Sequence, residues 1–211
     1  IAIVEDGKRF TLKVLPVTPL SCMEDIVTEL IAYVKHFVSL RVILLDRGFY
    51  SSKVIKKIKD AEVNYVMPVR KSQKVIDHMQ RAYENGPITY VMSNGETYIL
   101  MVVKDEDHDK LLPYATNIED VLPSVIHEFY EHRFGIETQY RMKNLFLGKT
   151  CSKNYSVRYA FFILAVALYN LWVLLNILER GKEGLDPGTI PIKVDQLKHI
   201  FRKIIYQNAP L

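Results

Sequence analysis

The spacing of apolar positions along this chain changes several times, and each change marks an element. In "IAIVEDGKRFTLKVLPV" the β-rich stretches Ile1 to Val4 and Arg9 to Val17 flank an Asp6-Gly7 pair, the pattern of a hairpin. In "SCMEDIVTELIAYVKHFV" Ile26, Leu30, Tyr33, Val34 and Phe37 keep a helical period, with Ser21 as its cap and Glu24 three residues later. "RVILLD" and "NYVMPV" are short continuous apolar runs, as in strands buried on both faces. Between them "SSKVIKKIKDAEV" is a basic amphipathic helix, capped by Ser51 or Ser52. Residues 1–69 thus predict a β-β-α-β-α-β order, the sheet part of an α/β fold.

From residue 70 to 122 the pattern shifts. "KSQKVIDHMQRAYENG" leaves its state open, whereas "PITYVMSNGETYILMVV" reads as a hairpin whose Asn94-Gly95 turn lies between Met92 and Glu96. "KDEDHDK" is a charged loop and "PYATNI" a further strand, so 70–122 is expected to be a β-rich insertion. Residues 123–180 are helical: one helix from Ser124 to Phe146, the loop "LGKTCSKNYS", and a second helix from Val157 to Leu178. The remainder, 181–211, combines a linker, "GKEGLDPGTIPI", with a basic amphipathic helix, "KVDQLKHIFRKIIYQ".

Composition narrows the class. With 211 residues, 49% of them apolar, the chain can bury a sizeable core. A net charge of +4 is compatible with nucleic acid without pointing to it. Cys22 and Cys151 belong to no paired motif, which argues against a disulfide framework or zinc site and for a reducing cytoplasm. The stretch 159–178, "YAFFILAVALYNLWVLLNIL", holds no charge and is long enough to span a membrane. Asn170, Asn176 and the lack of a second such stretch favour a core helix and no membrane.

Two places carry candidate chemistry. Asp46 ends the strand "RVILLD", and an acid at the carboxyl end of a buried strand projects where α/β sheets place their sites; its other reading is a cap for the next helix or a partner for Arg47. In "YEHRFGIETQYRMKN", Arg133, Glu137 and Arg141 are four apart, so one helix would align them on a single face. The plain reading is a solvated ion ladder. From Thr138 to Leu178, however, there is no acid, while Arg141, Lys143, Lys149, Lys153 and Arg158 are cations, a balance that suits a polyanion. Tyr130, Tyr140 and Tyr155 add flat faces able to stack on bases.

These residues carry a resemblance. "YEHRFGIETQYRMKN" resembles the Tyr-x2-Arg-x3-Glu-x6-Lys signature of DDE transposases of the insertion-sequence type-four group. "LLDRGFYSSKVIKKIKDAEVNYVMPV" resembles the region of their second catalytic Asp, and "ATN" and "YAFFILAVALYNLWVLLN" fit on either side of the Glu helix. The likeness is closest to archaeal members and covers nearly all of residues 1–178. It implies an RNase-H-like mixed sheet with a β-rich insertion and carboxy-terminal helices. It implies Asp46 and Glu137 as catalytic, metal-binding acids, and Tyr130, Arg133, Arg141, Lys143, Lys149 and Lys153 as DNA-binding residues. There are two departures. Position 144 is Asn and Lys143 stands one residue early, which misses the Glu face by roughly 100–120° and leaves Arg141 to serve instead. The chain also opens at the hairpin that follows the family's first catalytic Asp, so that strand and any amino-terminal DNA-binding domain are expected to be missing from a truncated chain; Asp6, in the hairpin turn, is no substitute.

The function implied is metal-dependent cleavage and strand transfer in DNA transposition, by a prokaryotic, nucleoid-associated protein acting on transposon ends and target, with a homodimer on DNA as its expected form. The complete site would hold two Mg²⁺ or Mn²⁺ ions about 3.5–4 Å apart on hard oxygen ligands. Two rival expectations stand beside it: a non-catalytic DNA-binding remnant that regulates an intact transposase, and a membrane-anchored protein using 159–178.

Overall fold

The structure, a computed structural model, describes residues 1–5, 8–105 and 107–208, with side chains to residue 203. It divides into two units: a sheet unit, Leu15–Phe134, and a helical unit formed by Ile1–Val14 with Gly135–Leu211.

In the sheet unit the order is α1 (Met23–Lys35), β1 (Val42–Leu44), α2 (Ser52–Asp60), β2 (Asn64–Pro68), α3 (Gln73–Asn85), β3 (Ile88–Val91), β4 (Thr97–Asp105), β5 (Lys110–Thr116) and α4 (Pro123–Glu131). The strands make one mixed sheet in the spatial order β1-β2-β5-β4-β3. β1 and β2 run parallel, with Val42 opposite Asn64 and Leu44 opposite Val66, and the other neighbours are antiparallel. Strands from 88–116 therefore extend the same sheet as those from 42–68. The Asn94-Gly95 turn forms as its residues predict: Met92 N donates to the Glu96 carbonyl at 2.8 Å, and Gly95 takes φ +87°, a region glycine enters without strain.

Alternation along β2 gives the unit its two layers. Tyr65 and Met67 join Val27 and Ile31 of α1, Val54, Ile55 and Ile58 of α2, and Val75, Met79 and Ala82 of α3 in one apolar cluster. Val66, between them in sequence, joins Met101, Tyr114, and Ile126 and Tyr130 of α4 in a second cluster. Each fully buried Ile contributes about 1.5–3 kcal/mol relative to exposure. Ser51 caps α2 by accepting from Val54 N at 3.3 Å. The stretch that left its state open is α3, with Ser72 accepting from Val75 N at 3.4 Å and Gly86 ending it at φ +94°.

Three expectations change. Ser21 does not cap α1: its hydroxyl accepts from Thr18 N at 2.9 Å in the preceding turn, and Cys22 takes the cap position with no side-chain bond. The opening hairpin reduces to bridges between Ala2 and Thr11 and between Glu5 and Lys8, its Asp6-Gly7 turn lying outside the described residues. The helix expected from Ser124 to Phe146 is two helices, α4 and then α5 (Phe134–Asn144). At the break Arg133 N turns back to Tyr130 O at 2.9 Å, tightening the last turn of α4, and Gly135 in the first turn of α5 weakens continuity.

The helical unit contains α5, α6 (Tyr155–Glu183) and α7 (Val194–Asn208). Helix α6 runs five residues beyond the expected end at Leu178 and stops at Gly184, which adopts the left-handed conformation at φ +65°. One face of α6 buries Ala165, Tyr169, Trp172 and Val173 with Phe146, Val194 and Leu197. Leu164, Leu171, Leu174 and Leu178 are exposed, and by length and composition the helix is long and apolar enough to cross a membrane. Its two asparagines bind other segments. Asn170 accepts from Thr11 N at 3.0 Å and donates to Thr11 O at 2.8 Å; Asn176 accepts from Ile192 N at 2.9 Å and donates to Ile192 O at 3.2 Å.

Candidate functional site

In the sheet unit, β1 ends as Leu45 N donates to Val66 O at 3.0 Å, and the chain then leaves the sheet at Asp46 in extended backbone, φ −77° and ψ 158°. Asp46 heads a single 3₁₀ turn, Arg47–Phe49, through its carbonyl, which accepts from Phe49 N at 3.0 Å. Its carboxylate makes no cap bond, since Ser51 performs that task for α2, and the residue is exposed. The acid is therefore presented to solvent at the end of β1, which is only half-buried at the end of the sheet order rather than buried on both faces as its apolar run predicts.

Tyr130 and Arg133 belong to the same neighbourhood. Tyr130, in the last turn of α4, is 7% exposed, and its ring lies 5.2 Å from that of Tyr114. The Arg133 guanidinium stands 5.2 Å over the Tyr130 ring and 5.4 Å from that of Phe134. Burial raises the Tyr130 phenol above the ordinary tyrosine pKa; the cationic Arg133 opposes this, the Asp46 carboxylate reinforces it, and Arg47 opposes it. One phenol thus feels Asp46, Arg47 and Arg133 together. Sequence reading did not single out the support behind it. Tyr114 OH and His127 Nδ1 share a hydrogen bond of 2.8 Å, and His127 Nε2 lies 3.5 Å from Glu131 Oε1. The available signal was the period-two alternation that turns Tyr114 of β5 to the same face as Val66.

In the helical unit, α5 buries Gly135, Gln139 and Lys143, one stripe at four-residue spacing. At about 100° per residue, Glu137 and Arg141 fall on the opposite side, and both are exposed. Glu137 and Arg141 remain one turn apart on α5, and Arg133 stands just before its first residue. Lys143 is 4% exposed. Its ammonium donates to Thr11 Oγ1 at 3.1 Å and lies 4.4 Å over the Tyr140 ring and 5.9 Å from that of Tyr169. Burial lowers its pKa below the usual lysine range. Lys149 and Lys153 are exposed on the loop before α6, where Asn154 caps the helix by accepting from Ser156 N at 2.8 Å.

Among the described residues no three His, Cys, Asp or Glu side chains gather as a metal ion requires. Asp46 in the sheet unit and Glu137 in the helical unit each carry the hard oxygen donors a divalent ion prefers.

The family profile described as transposase DDE domain matches residues 18–171, a span that holds Asp46, Tyr130, Arg133 and Glu137. No curated protein matches the chain. Among solved structures, the chain is similar to the piggyBac transposase in a synaptic complex with hairpin DNA, determined by cryo-EM, with a TM-score of 0.59 at 14% identity. The match covers 96% of this chain and 44% of that one, so the chain spans less than half of that protein's length. The shared architecture is RNase-H-like: a five-stranded mixed sheet followed by helices.

Proposed function

Because this chain belongs to the transposase DDE domain family, we propose that it is the DNA-processing domain of a DNA transposase of the insertion-sequence type-four group, cleaving transposon ends and joining them to target DNA in a prokaryotic cytoplasm. The observation that carries the reading is the Asp46 carboxylate, free of capping duty at the end of β1 and sharing a neighbourhood with Arg133 and Arg47, in a chain whose family match also includes Glu137.

Asp46 and Glu137 would hold Mg²⁺ or Mn²⁺, which supplies a Lewis acid and a nucleophile at neutral pH. The chain's own groups bind and orient the DNA. Arg47, next to Asp46 in sequence, and Arg133 act on the same Tyr130 phenol as Asp46, and guanidinium meets phosphate with paired donors. Tyr130 is too buried to contact a duplex and acts as the platform for Arg133; such a cation–π contact contributes about 0.5–2 kcal/mol. Arg141, Lys149 and Lys153 are exposed for backbone phosphates, whereas Lys143 spends its donor on Thr11 and fixes α5 against the amino-terminal segment.

The test is to incubate the full-length protein and Mg²⁺ with a plasmid carrying the DNA that borders its gene. Strand breaks mapping to those borders are expected. Tight, salt-sensitive binding with no break would assign the chain to the non-catalytic regulatory reading instead.

A further inference from the structure

We propose that the groove beside the first turns of α6 binds an unpaired nucleotide of single-stranded DNA, with its base stacked on Tyr155 and its backbone along Lys149 and Lys153. The proposal rests on the DNA-processing reading and adds a subsite to it. The groove has a volume of about 420 Å³ and is lined by Leu147, Gly148, Tyr155, Arg158, Tyr159 and Phe161, among others. That lies within the ~300–1,000 Å³ typical of small-ligand sites.

The local chain explains why the groove exists. The loop between α5 and α6 folds back so closely that a Cβ on Gly148 would stand 2.5 Å from Phe161 Cδ1. Only glycine lets the backbone approach that ring. Tyr155 and Tyr159, one helical turn apart, lie nearly parallel, with centroids 5.9 Å apart and an interplanar angle of 10°. Tyr155 is 60% exposed, so one ring face is offered to solvent beside an apolar floor.

Charge selects the occupant. Arg158 lines the groove, Lys149 and Lys153 are exposed on the loop that supplies its Gly148 and Thr150, and no acid occurs from Thr138 to Leu178 to repel a polyanion. A basic rim around aromatic faces is how sequence-tolerant single-strand sites are built, because every base has a face to stack. A duplex keeps those faces covered by neighbouring bases and cannot use Tyr155. An apolar peptide or a second copy would use the floor but not the rim.

The experiment measures binding of the whole chain to a fluorescein-labelled dT oligonucleotide and to a duplex of the gene's flanking DNA, by anisotropy across a salt series. Tyr155→Ala is expected to weaken single-strand affinity about 5- to 150-fold, with duplex affinity unmoved. Tyr155→Phe keeps the ring and should stay within about twofold of wild type. Lys149→Ala and Lys153→Ala should each flatten the salt slope by about 0.7, which Tyr155→Ala should not. Fluorescence of Trp172, the chain's single tryptophan, reports the fold of the same unit. If Tyr155→Ala lowers that transition, Tyr155→Leu replaces it, keeping apolar bulk without the flat face. Single-strand affinity unchanged in these variants, an equal loss on duplex, or an effect on self-association alone would overturn the proposal. A chain that still binds flanking duplex in those cases leaves the DNA-processing reading intact; a chain that binds no DNA refutes both.

Discussion

In the sheet unit the innermost residues of α2 are Val54, Ile55 and Ile58, fully buried against other apolar side chains. In the helical unit the innermost residues of α5 are Gln139, at 0% exposure, and Lys143, and those of α6 include Asn176. One unit is held by packing. The other adds polar side chains that seize the backbone of passing segments: Gln139 Nε2 donates to Ile3 O at 2.7 Å, Asn170 brackets Thr11, and Asn176 brackets Ile192 while the Trp172 indole N–H donates to the same carbonyl at 2.7 Å. These side chains satisfy backbone groups of 1–14 and 189–193, neither of which forms a regular strand among the described residues. Packing tolerates approximate sequences. A buried donor or acceptor demands one particular partner.

The largest test of this contrast is Ile58→Ala. Loss of its packing in the sheet unit should lower stability by about 2–5 kcal/mol in urea unfolding followed by circular dichroism; a loss under about 1 kcal/mol would mean that packing does not hold this unit. Next comes Asn176→Ala, which strands the Ile192 amide and should cost about 1–3 kcal/mol, read by Trp172 fluorescence. If Asn176→Ala were neutral, the polar bracket would be ornamental. Ser51→Ala should cost about 1 kcal/mol through loss of the α2 cap. The smallest effect concerns Lys143. Burial lowers its folded pKa below the ordinary 10.5, so across the window between the two values the unfolded chain binds more protons and stability rises with pH. Lys143→Met should remove that contribution, so the difference in stability between the two chains should change with pH across that window in alkaline unfolding titrations, and a constant difference would contradict it.

The same contrast decides what could be read in the sequence. Strands β1 and β2 were legible because continuous apolar runs have few other uses, and the Asn94-Gly95 hairpin because its turn requires glycine. Helix α3 was not, because only Val75, Met79 and Ala82 carry its inner face among polar neighbours. The break between α4 and α5 left no proline to announce it. Lys143 reads as a solvated cation in any pattern-based account; that it turns inward depends on Thr11, far away in sequence, and on the rings of Tyr140 and Tyr169. Of the candidate site, the position of Asp46 at a strand end was visible from local pattern, and Tyr130 and Arg133 through a family resemblance. The bond between Tyr114 and His127 behind them joins two elements and has no local signature.

The most direct measurement is border-specific nicking of flanking DNA by the full-length protein and by its Asp46→Asn and Glu137→Gln variants, at matched DNA occupancy. The account predicts that both variants bind as the parent does and lose nicking by on the order of 10²–10⁴-fold, because each removes a ligand oxygen and not a phosphate contact. Nicking by either variant at the parent's rate would contradict the assignment of that acid to the reaction.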